Sequence, residues 1–481
     1  MCGDNDSTNR SDTNGAAADV AVFHPTDLGN ARRLVAQHGK DIRWLAGSEG
    51  WRTWDGCRWA IDSTGEVEQR AKATVTNIYA EASRATARAD RHALGHHALR
   101  SESAARIRAM IELAKTEPGI PLSPDALDRD AWLLNCLNGT VNLRTGLVQA
   151  HNRTDFISKL VPVEYDSAAL CPQWLAFLDR IMDGNQDLVR YLQKLVGYGL
   201  TGDTSEQILA ILYGTGANGK STFLNVLADL LGGDYAKRTP SASLTARKDR
   251  GIPNDLARLR GARFVIASET EADHRLAEGL IKNMTGSDTL SARFLYTEWF
   301  EFVPTYKLFL ATNHRPAIEG TEHAIWRRIR LVPFSVVIPD AQQDKQLPEK
   351  LRGEWPGILR WAIEGCLAWQ REGLGVPTAV QLATDKYRSE MDVVGAFLDE
   401  YCVLDPASLL PAADLYDTYA EWCKTNGENS LTQRTFGMKL RERGLVSIKR
   451  NVKFWQGVNW RSRATSGTNR TNGMNRGQTS P

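Results

Sequence analysis

The sequence predicts an α/β fold: a parallel sheet with flanking helices, preceded by an α+β domain and followed by a small winged-helix domain. Three observations predict it. Strand-length apolar runs, "ILAILYG", "RFVIASE", "KLFLATN" and "IRLVPF", alternate with helical stretches, as a parallel sheet requires. A glycine-rich turn, Gly214 to Ser221, joins the first run to an apolar helix. Near the C-terminus two helical stretches precede "LVSIKRNVKFWQGVNW", a basic two-strand pattern.

The chain has 481 residues, a length that suits about three domains. No run of about 18 uncharged apolar residues exists that could span a membrane. The start, "MCGDNDSTNRSDTNGAAADV", lacks the basic start and apolar core of a signal peptide, so the cytoplasm is expected. Seven scattered cysteines form no Cys-x-x-Cys pair, and buried free thiols are expected rather than a zinc ribbon or disulfides. The net charge of +2 is uneven: 431–463 carry nine Lys/Arg and one acid, Glu442, a local +8 against −6 elsewhere. That asymmetry points to a polyanion contact near the C-terminus.

In chain order, residues 1–20 and 461–481 read as disordered tails, being polar and aperiodic. Residues 21–180 read as the α+β domain. "WRTWDGCRWAID" alternates aromatics about Asp55-Gly56, a hairpin signal, and a long helical region runs from Glu66 to Lys115. "WLLNCLNGTVNLRTGLVQAH" offers short strands with turns at Asn138-Gly139 and Thr145-Gly146. From Pro172 the pattern is helical, with Trp174, Leu175, Phe177, Leu178 and Ile181 at helical spacing. Residues 181–375 hold the alternating strands and helices. A linker helix over 376–411 leads to the small basic domain at 412–460.

Gly214 to Ser221 fits the P-loop pattern G-x-x-x-x-G-K-[ST]. Its glycines let backbone N–H groups converge on phosphate oxygens, and the following helix presents its positive end to them. Gly214, Thr215, Gly216, Ala217, Asn218, Gly219, Lys220, Ser221 and Thr222 are therefore the expected nucleotide contacts. Lys220 should reach the β- and γ-phosphates, and Ser221 should ligate Mg²⁺. Hydrolysis needs more. "RFVIASETE" ends a strand at Glu269, the candidate to polarise water and complete the magnesium site, with Glu271 as the alternative. "KLFLATN" ends at Asn313, an amide able to meet the γ-phosphate. Arg327 and Arg328 lie together before "IRLVPF" and offer a fork-shaped cation for a developing phosphate charge.

These elements lie in this order within about 115 residues. With "IKNMTGSDTLSARFLY", and upstream "WLLNCLNGTVNLRTG", "CPQWLAFLDRI" and "YLQKLVGYGLTGDTSEQ", they resemble the phage and plasmid primase/helicase family, which includes poxvirus-type relatives. The resemblance covers most of residues 40–380. It implies an AAA+-like, superfamily 3 motor that hydrolyses ATP with Mg²⁺, assembles as a homo-hexamer on single-stranded or forked DNA, and works with host or phage replication proteins. Arg327 or Arg328 would then act on a neighbour's ATP. It also implies a channel-facing hairpin within 282–296, with Lys282, Arg293 and Tyr296 touching DNA. The bacterial cytoplasm would be its setting. Many relatives carry an N-terminal polymerase domain with paired metal-binding aspartates. No such pair is evident here, so a helicase is expected rather than primer synthesis.

The basic C-terminus carries a candidate recognition helix, 433–443. Phe436, Met438, Leu440 and Leu445 are expected on its buried face. Arg434, Lys439, Arg441 and Arg443 supply charge, and Lys449, Arg450 and Lys453 would sit on the wing. Two alternatives stay open: an origin-binding initiator or helicase loader, and a primase-helicase that makes primers.

Overall fold

The computed structural model describes residues 23–47, 50–246, 254–268, 275–294, 298–318, 320 and 323–461. Helix α1 (Asp27–His38) starts at Thr26, whose hydroxyl accepts the N–H of Gly29. Strands β1 (Ile42–Leu45), β2 (Gly50–Trp54) and β3 (Trp59–Ile61) pair antiparallel. The β2–β3 turn is the expected one: the Asp55 carboxylate accepts the N–H groups of Cys57 and Arg58, and Gly56 takes φ 106°.

The long helical region expected over 66–115 is divided into three helices: α2 (Glu66–Arg84), α3 (Arg88–Ser101) and α4 (Ala104–Ala114). Ala85 and Ala87 are extended, and Ser103 caps α4 through the N–H of Arg106. The break lets α4 fold back, so that Ile107 and Met110 join Leu34, Ile42 and Val75 in one core. Strand β4 (Pro121–Leu122) adds to β1 in parallel.

Strands β5 (Leu133–Cys136), β6 (Gly139–Asn142) and β7 (Leu147–Gln149) turn at the two predicted sites. Helices α5 (Pro172–Ile181) and α6 (Gln186–Leu200) follow. The boundary expected near 180 is no break in packing. Leu134, Val141, Trp174, Phe177 and Tyr191 share one core with Phe223 and Phe309, within the span assigned to the sheet domain. The apolar faces of α5 and α6 find their cover there. Leu175, expected on the buried face, is 45% exposed.

The central sheet contains β8 (Leu209–Tyr213), followed by α7 (Lys220–Tyr235), β9 (Ala236–Pro240) and α8 (Asn254–Ala257). Next come β10 (Phe264–Ser268), α9 (Glu278–Thr285) and a small hairpin, β11 (Leu290–Ala292) with β12 (Phe300–Phe302). Strand β13 (Lys307–Thr312), α10 (His323–Trp326) and β14 (Ile329–Pro333) complete it. The order is β14-β8-β13-β10-β9, all parallel. Both faces are covered: Ala210, Leu212 and Ile266 point into one core, Leu209, Ile211 and Val265 into another. Edge strand β9, "AKRTP", carries no apolar run and was not expected.

Helices α11 (Leu347–Arg352), α12 (Trp355–Glu372) and α13 (Thr378–Glu390) lead to a last unit: α14 (Val393–Tyr401), β15 (Cys402–Pro411), α15 (Ala412–Asn426), α16 (Gln433–Glu442), β16 (Val446–Lys449) and β17 (Lys453–Trp460). The expected linker over 376–411 is mostly part of this unit. Phe397 of α14 packs on Tyr419, Trp422 and Phe436, and β15 pairs with β17. Of that linker only α13 lies outside the C-terminal core. The cysteines among the described residues are free, and no helix there is long and apolar enough to cross a membrane.

Candidate functional site

The loop 214–219 leaves β8 at the carboxyl edge of the sheet and enters α7. Three of its residues, Gly216, Ala217 and Gly219, take left-handed φ values of 113°, 47° and 82°. At Gly214 a Cβ would collide with the Phe334 carbonyl oxygen and the Asn218 amide, so only glycine fits. The loop is tied to the exit of β14: Ile338 N–H donates to Ala217 O at 2.7 Å, and Asn218 Nδ2 to Phe334 O at 3.2 Å.

Lys220, the first residue of α7, is 5% exposed. Its Nζ donates to Gly214 O at 2.6 Å, Asn218 Oδ1 at 3.0 Å and Asn313 Oδ1 at 3.1 Å. These are neutral oxygens, and burial pushes the ammonium pKa down to about 8. A buried cation held only by neutral groups is prepared for an anion. Asn313 follows β13 directly, and Thr312 pairs with Tyr213, so the two strand ends are neighbours. Thr215, Ala217 and Ser221 are exposed on the open side and Thr222 is half-buried. Strand β10 ends at Ser268, opposite Ala311 on the same edge. Glu269 and Glu271 lie outside the described residues.

A cavity of about 440 Å³ adjoins the loop, lined by Phe177 and Arg180 of α5, Ala217, Gly219, Ile338 and Gln342 among others. Helix α5 sits close: a Cβ at Gly219 would lie 3.1 Å from the Phe177 ring. Arg180 Nη2 donates to Gln342 Oε1 at 2.8 Å across the mouth. Sequence reasoning missed this pocket because its walls are 162 positions apart, and no local pattern links them.

The two arginines are not at the loop. Ile329 pairs with Leu209, at the amino end of β8, so Arg327 and Arg328 lie at the opposite edge of the sheet. Arg327 is exposed and donates Nη2 to Gln207 Oε1 at 2.9 Å. Arg328 is 8% exposed and donates to Thr285 Oγ1 at 3.2 Å, Ala324 O at 2.7 Å and Gln207 Oε1 at 3.4 Å. Burial, then the Arg327 charge, lowers its pKa. Arg328 is thus committed within the fold of its own chain, and of the two only Arg327 faces outward.

Lys282 is half-buried on the last turn of α9. Arg293 follows β11 and places its guanidinium 5.1 Å from the Trp299 ring. Tyr296 lies outside the described residues. Trp299 and Phe294, 54% and 43% exposed beside the hairpin, were not singled out from the sequence. In the last unit Arg434, Arg441, Lys449, Arg450 and Lys453 are exposed. Lys439 is half-buried and ion-paired with Glu442 at 3.0 Å, and Arg443 is ion-paired with Asp392. Met438, expected inside, is 45% exposed, because α16 turns Phe436 and Leu440 to the core with Gly437 against Trp455.

Three family models match in chain order: D5 N terminal like over 31–183, a family of unknown function over 212–328, and poxvirus D5 protein-like over 389–476. A relative named a presumed helicase, from Acanthamoeba polyphaga mimivirus, is 28% identical over 62% of this chain and 34% of its own length. One of the same description from Frog virus 3 is 29% identical over 56% of this chain and 30% of its own. A presumed primase from African swine fever virus is 26% identical over 51% of this chain and 27% of its own. The chain spans about a third of the length of these curated relatives. They come from viruses of eukaryotes, where the sequence had suggested a phage. Among solved structures, the apo C-terminal region of NrS-1 matches 61% of this chain and 77% of its own, at 13% identity and a TM-score of 0.43. The D5-type models, matched in chain order, and the relatives named for helicase and primase agree with the motif order, and the chain is similar to proteins of the D5-like primase-helicase family.

Proposed function

We propose that this chain is an ATP-dependent DNA helicase motor, AAA+-like and of the superfamily 3 type, acting in replication of a phage or other mobile element. The observation that carries this reading is the buried Lys220 ammonium, joined by Asn313 at the end of the adjacent strand. That pairing is what a γ-phosphate sensor needs: an anion entering the loop exchanges neutral oxygens for charged ones and is felt at β13.

The residues suit ATP and Mg²⁺. Gly214 to Thr222 would cradle the phosphates, and the cavity beside α5 would take the base. Ser221, accessible on the first turn of α7, and Glu269 would hold Mg²⁺, which neutralises charge on the β- and γ-oxygens. Asn313 would orient the attacking water, and Glu269 would accept its proton. Arg327, pointing away from its own loop, would act on the nucleotide of a neighbouring subunit in a homo-hexamer. Lys282, Arg293 and Tyr296 would contact DNA from the hairpin side. The last unit would act as a winged helix that contacts DNA phosphates through Arg434, Arg441, Lys449 and Arg450, with Lys439 near them.

Strand separation on a forked duplex, wild type against Lys220→Ala, tests the reading. ATP-dependent unwinding by the wild type alone supports it. ATP hydrolysis indifferent to DNA, with no unwinding, sinks it. The exposed basic α16 and hairpin favour a second reading, an origin-binding initiator or helicase loader. That reading predicts site-specific duplex binding and weak unwinding.

A further inference from the structure

Gln207 stands two residues before β8 and takes a left-handed backbone, φ 51°, that glycine or asparagine adopts more readily. Its Oε1 accepts from Arg327 Nη2 at 2.9 Å and from Arg328 Nη2 at 3.4 Å. Both lone pairs of one amide oxygen are used. Arg328 Nε in turn donates to Thr285 Oγ1 at 3.2 Å, and that hydroxyl donates to Ile281 O at 2.7 Å. Thr285 ends α9, the helix that leads into the β11–β12 hairpin. The backbone around Gln207 is braced as well: its N–H donates to Thr204 O at 3.1 Å, and Leu209 N–H to Arg328 O at 2.8 Å. A continuous chain of hydrogen bonds thus runs from α9 through Arg328 and Gln207 to the one outward-facing arginine of the pair.

We propose that Gln207 is a positioning residue that parks the Arg327 guanidinium on its own subunit and couples its release to movement of α9. The proposal rests on the reading of Arg327 as acting on a neighbour's nucleotide and of the hairpin as touching DNA. When α9 shifts, Thr285 moves against Arg328, and the share of the Gln207 oxygen left to Arg327 changes. A phosphate oxygen outcompetes a neutral amide for a guanidinium, so the clamp slows the transfer without preventing it. A left-handed glutamine at a turn where glycine would be relaxed is accounted for by this use of its side chain.

The test is steady-state ATP hydrolysis by the full chain, with and without single-stranded DNA, for the wild type, Gln207→Gly, Gln207→Glu and Arg327→Ala. Glycine at this position suits the backbone and removes the oxygen, whereas a carboxylate there holds both arginines harder. Gln207→Gly should raise the DNA-free kcat about three- to tenfold, the worth of one hydrogen bond, and flatten the stimulation by DNA. Gln207→Glu should lower it by about the same factor, with KM for ATP little changed in both. Opposite signs at constant KM are not what a merely structural residue gives. If both variants lower kcat together, or DNA stimulation is unchanged in both, the clamp is overturned, while a defect in Arg327→Ala leaves the reading of the arginine standing. If Arg327→Ala hydrolyses ATP like the wild type, that reading falls and the clamp with it.

Discussion

Lys220 and Asn313 meet through Nζ and Oδ1 at 3.1 Å, so the cation of the loop is tethered to the end of the adjacent strand. The tether is a neutral amide, and the ammonium it holds is buried with a pKa pushed down to about 8.

Nucleotide affinity should therefore depend on pH above neutrality. Below pH 8 Lys220 is charged and affinity is flat. Above pH 8 the free site has lost its proton, and binding a phosphate must take one up. Affinity should fall about tenfold per pH unit from there. Isothermal titration from pH 7 to 9.5 measures it, and the slope should vanish in Lys220→Ala. The same shift affects the free protein in the opposite sense. Between pH 8 and 10.5 the unfolded chain binds more protons than the folded one, so folding stability contributed by this group rises with pH.

Asn313→Asp puts a carboxylate where the amide oxygen touches Lys220. An ion pair forms, the ammonium is held against the phosphate, and its pKa rises. ATP affinity should fall by about tenfold to a hundredfold, and the pH dependence should move upward. Asn313→Ala removes the tether without a competing charge. It should leave affinity within about threefold and lower kcat by about ten- to a hundredfold. Equal effects of the two substitutions on affinity would show that Asn313 does not govern Lys220.

Trp174 of α5 is fully buried, stacked on Phe223 with ring centroids 5.6 Å apart and edge-on to Trp361. Trp174→Ala should cost about 3–5 kcal/mol. Because α5 shares the core of the sheet, the loss should appear in the same denaturant transition that reports loss of nucleotide binding. A separate, earlier transition would mean that α5 unfolds with the N-terminal part instead.

That shared core explains what was legible in the sequence and what was not. The loop was legible because Gly214 to Ser221 is a local pattern between a strand and a helix. Strands β8, β10, β13 and β14 were legible because both their faces are buried, which leaves continuous apolar runs. Strand β9 was not, since "AKRTP" lies at an edge and Lys237 and Arg238 need no burial. The breaks at Ala85 and Ser103 were hidden by alanine-rich sequence that favours helix on both sides. The pair Arg327 and Arg328 was visible as a pair, but their roles separate only in three dimensions. One residue of advance along the chain turns the second guanidinium inward to Thr285 and leaves the first exposed, held by Gln207. Phe177 and Gln342 meet at the cavity only through the fold.

The basic C-terminal unit gives the last prediction. Arg434, Arg441, Lys449 and Arg450 are exposed, whereas Lys439 is paired with Glu442. If these four of the exposed cations neutralise DNA phosphates, each releases about 0.9 of a counterion from duplex DNA. Replacing all four with alanine should reduce the slope of log K against log salt by about three to four. Lys439→Ala alone should change it by less than half a unit, about what an already paired cation contributes. Fluorescence anisotropy on a duplex between 50 and 300 mM salt, roughly the range over which such slopes are resolved, reads both. An unchanged slope in the fourfold variant would assign α16 and the β16–β17 hairpin to a protein partner rather than to DNA.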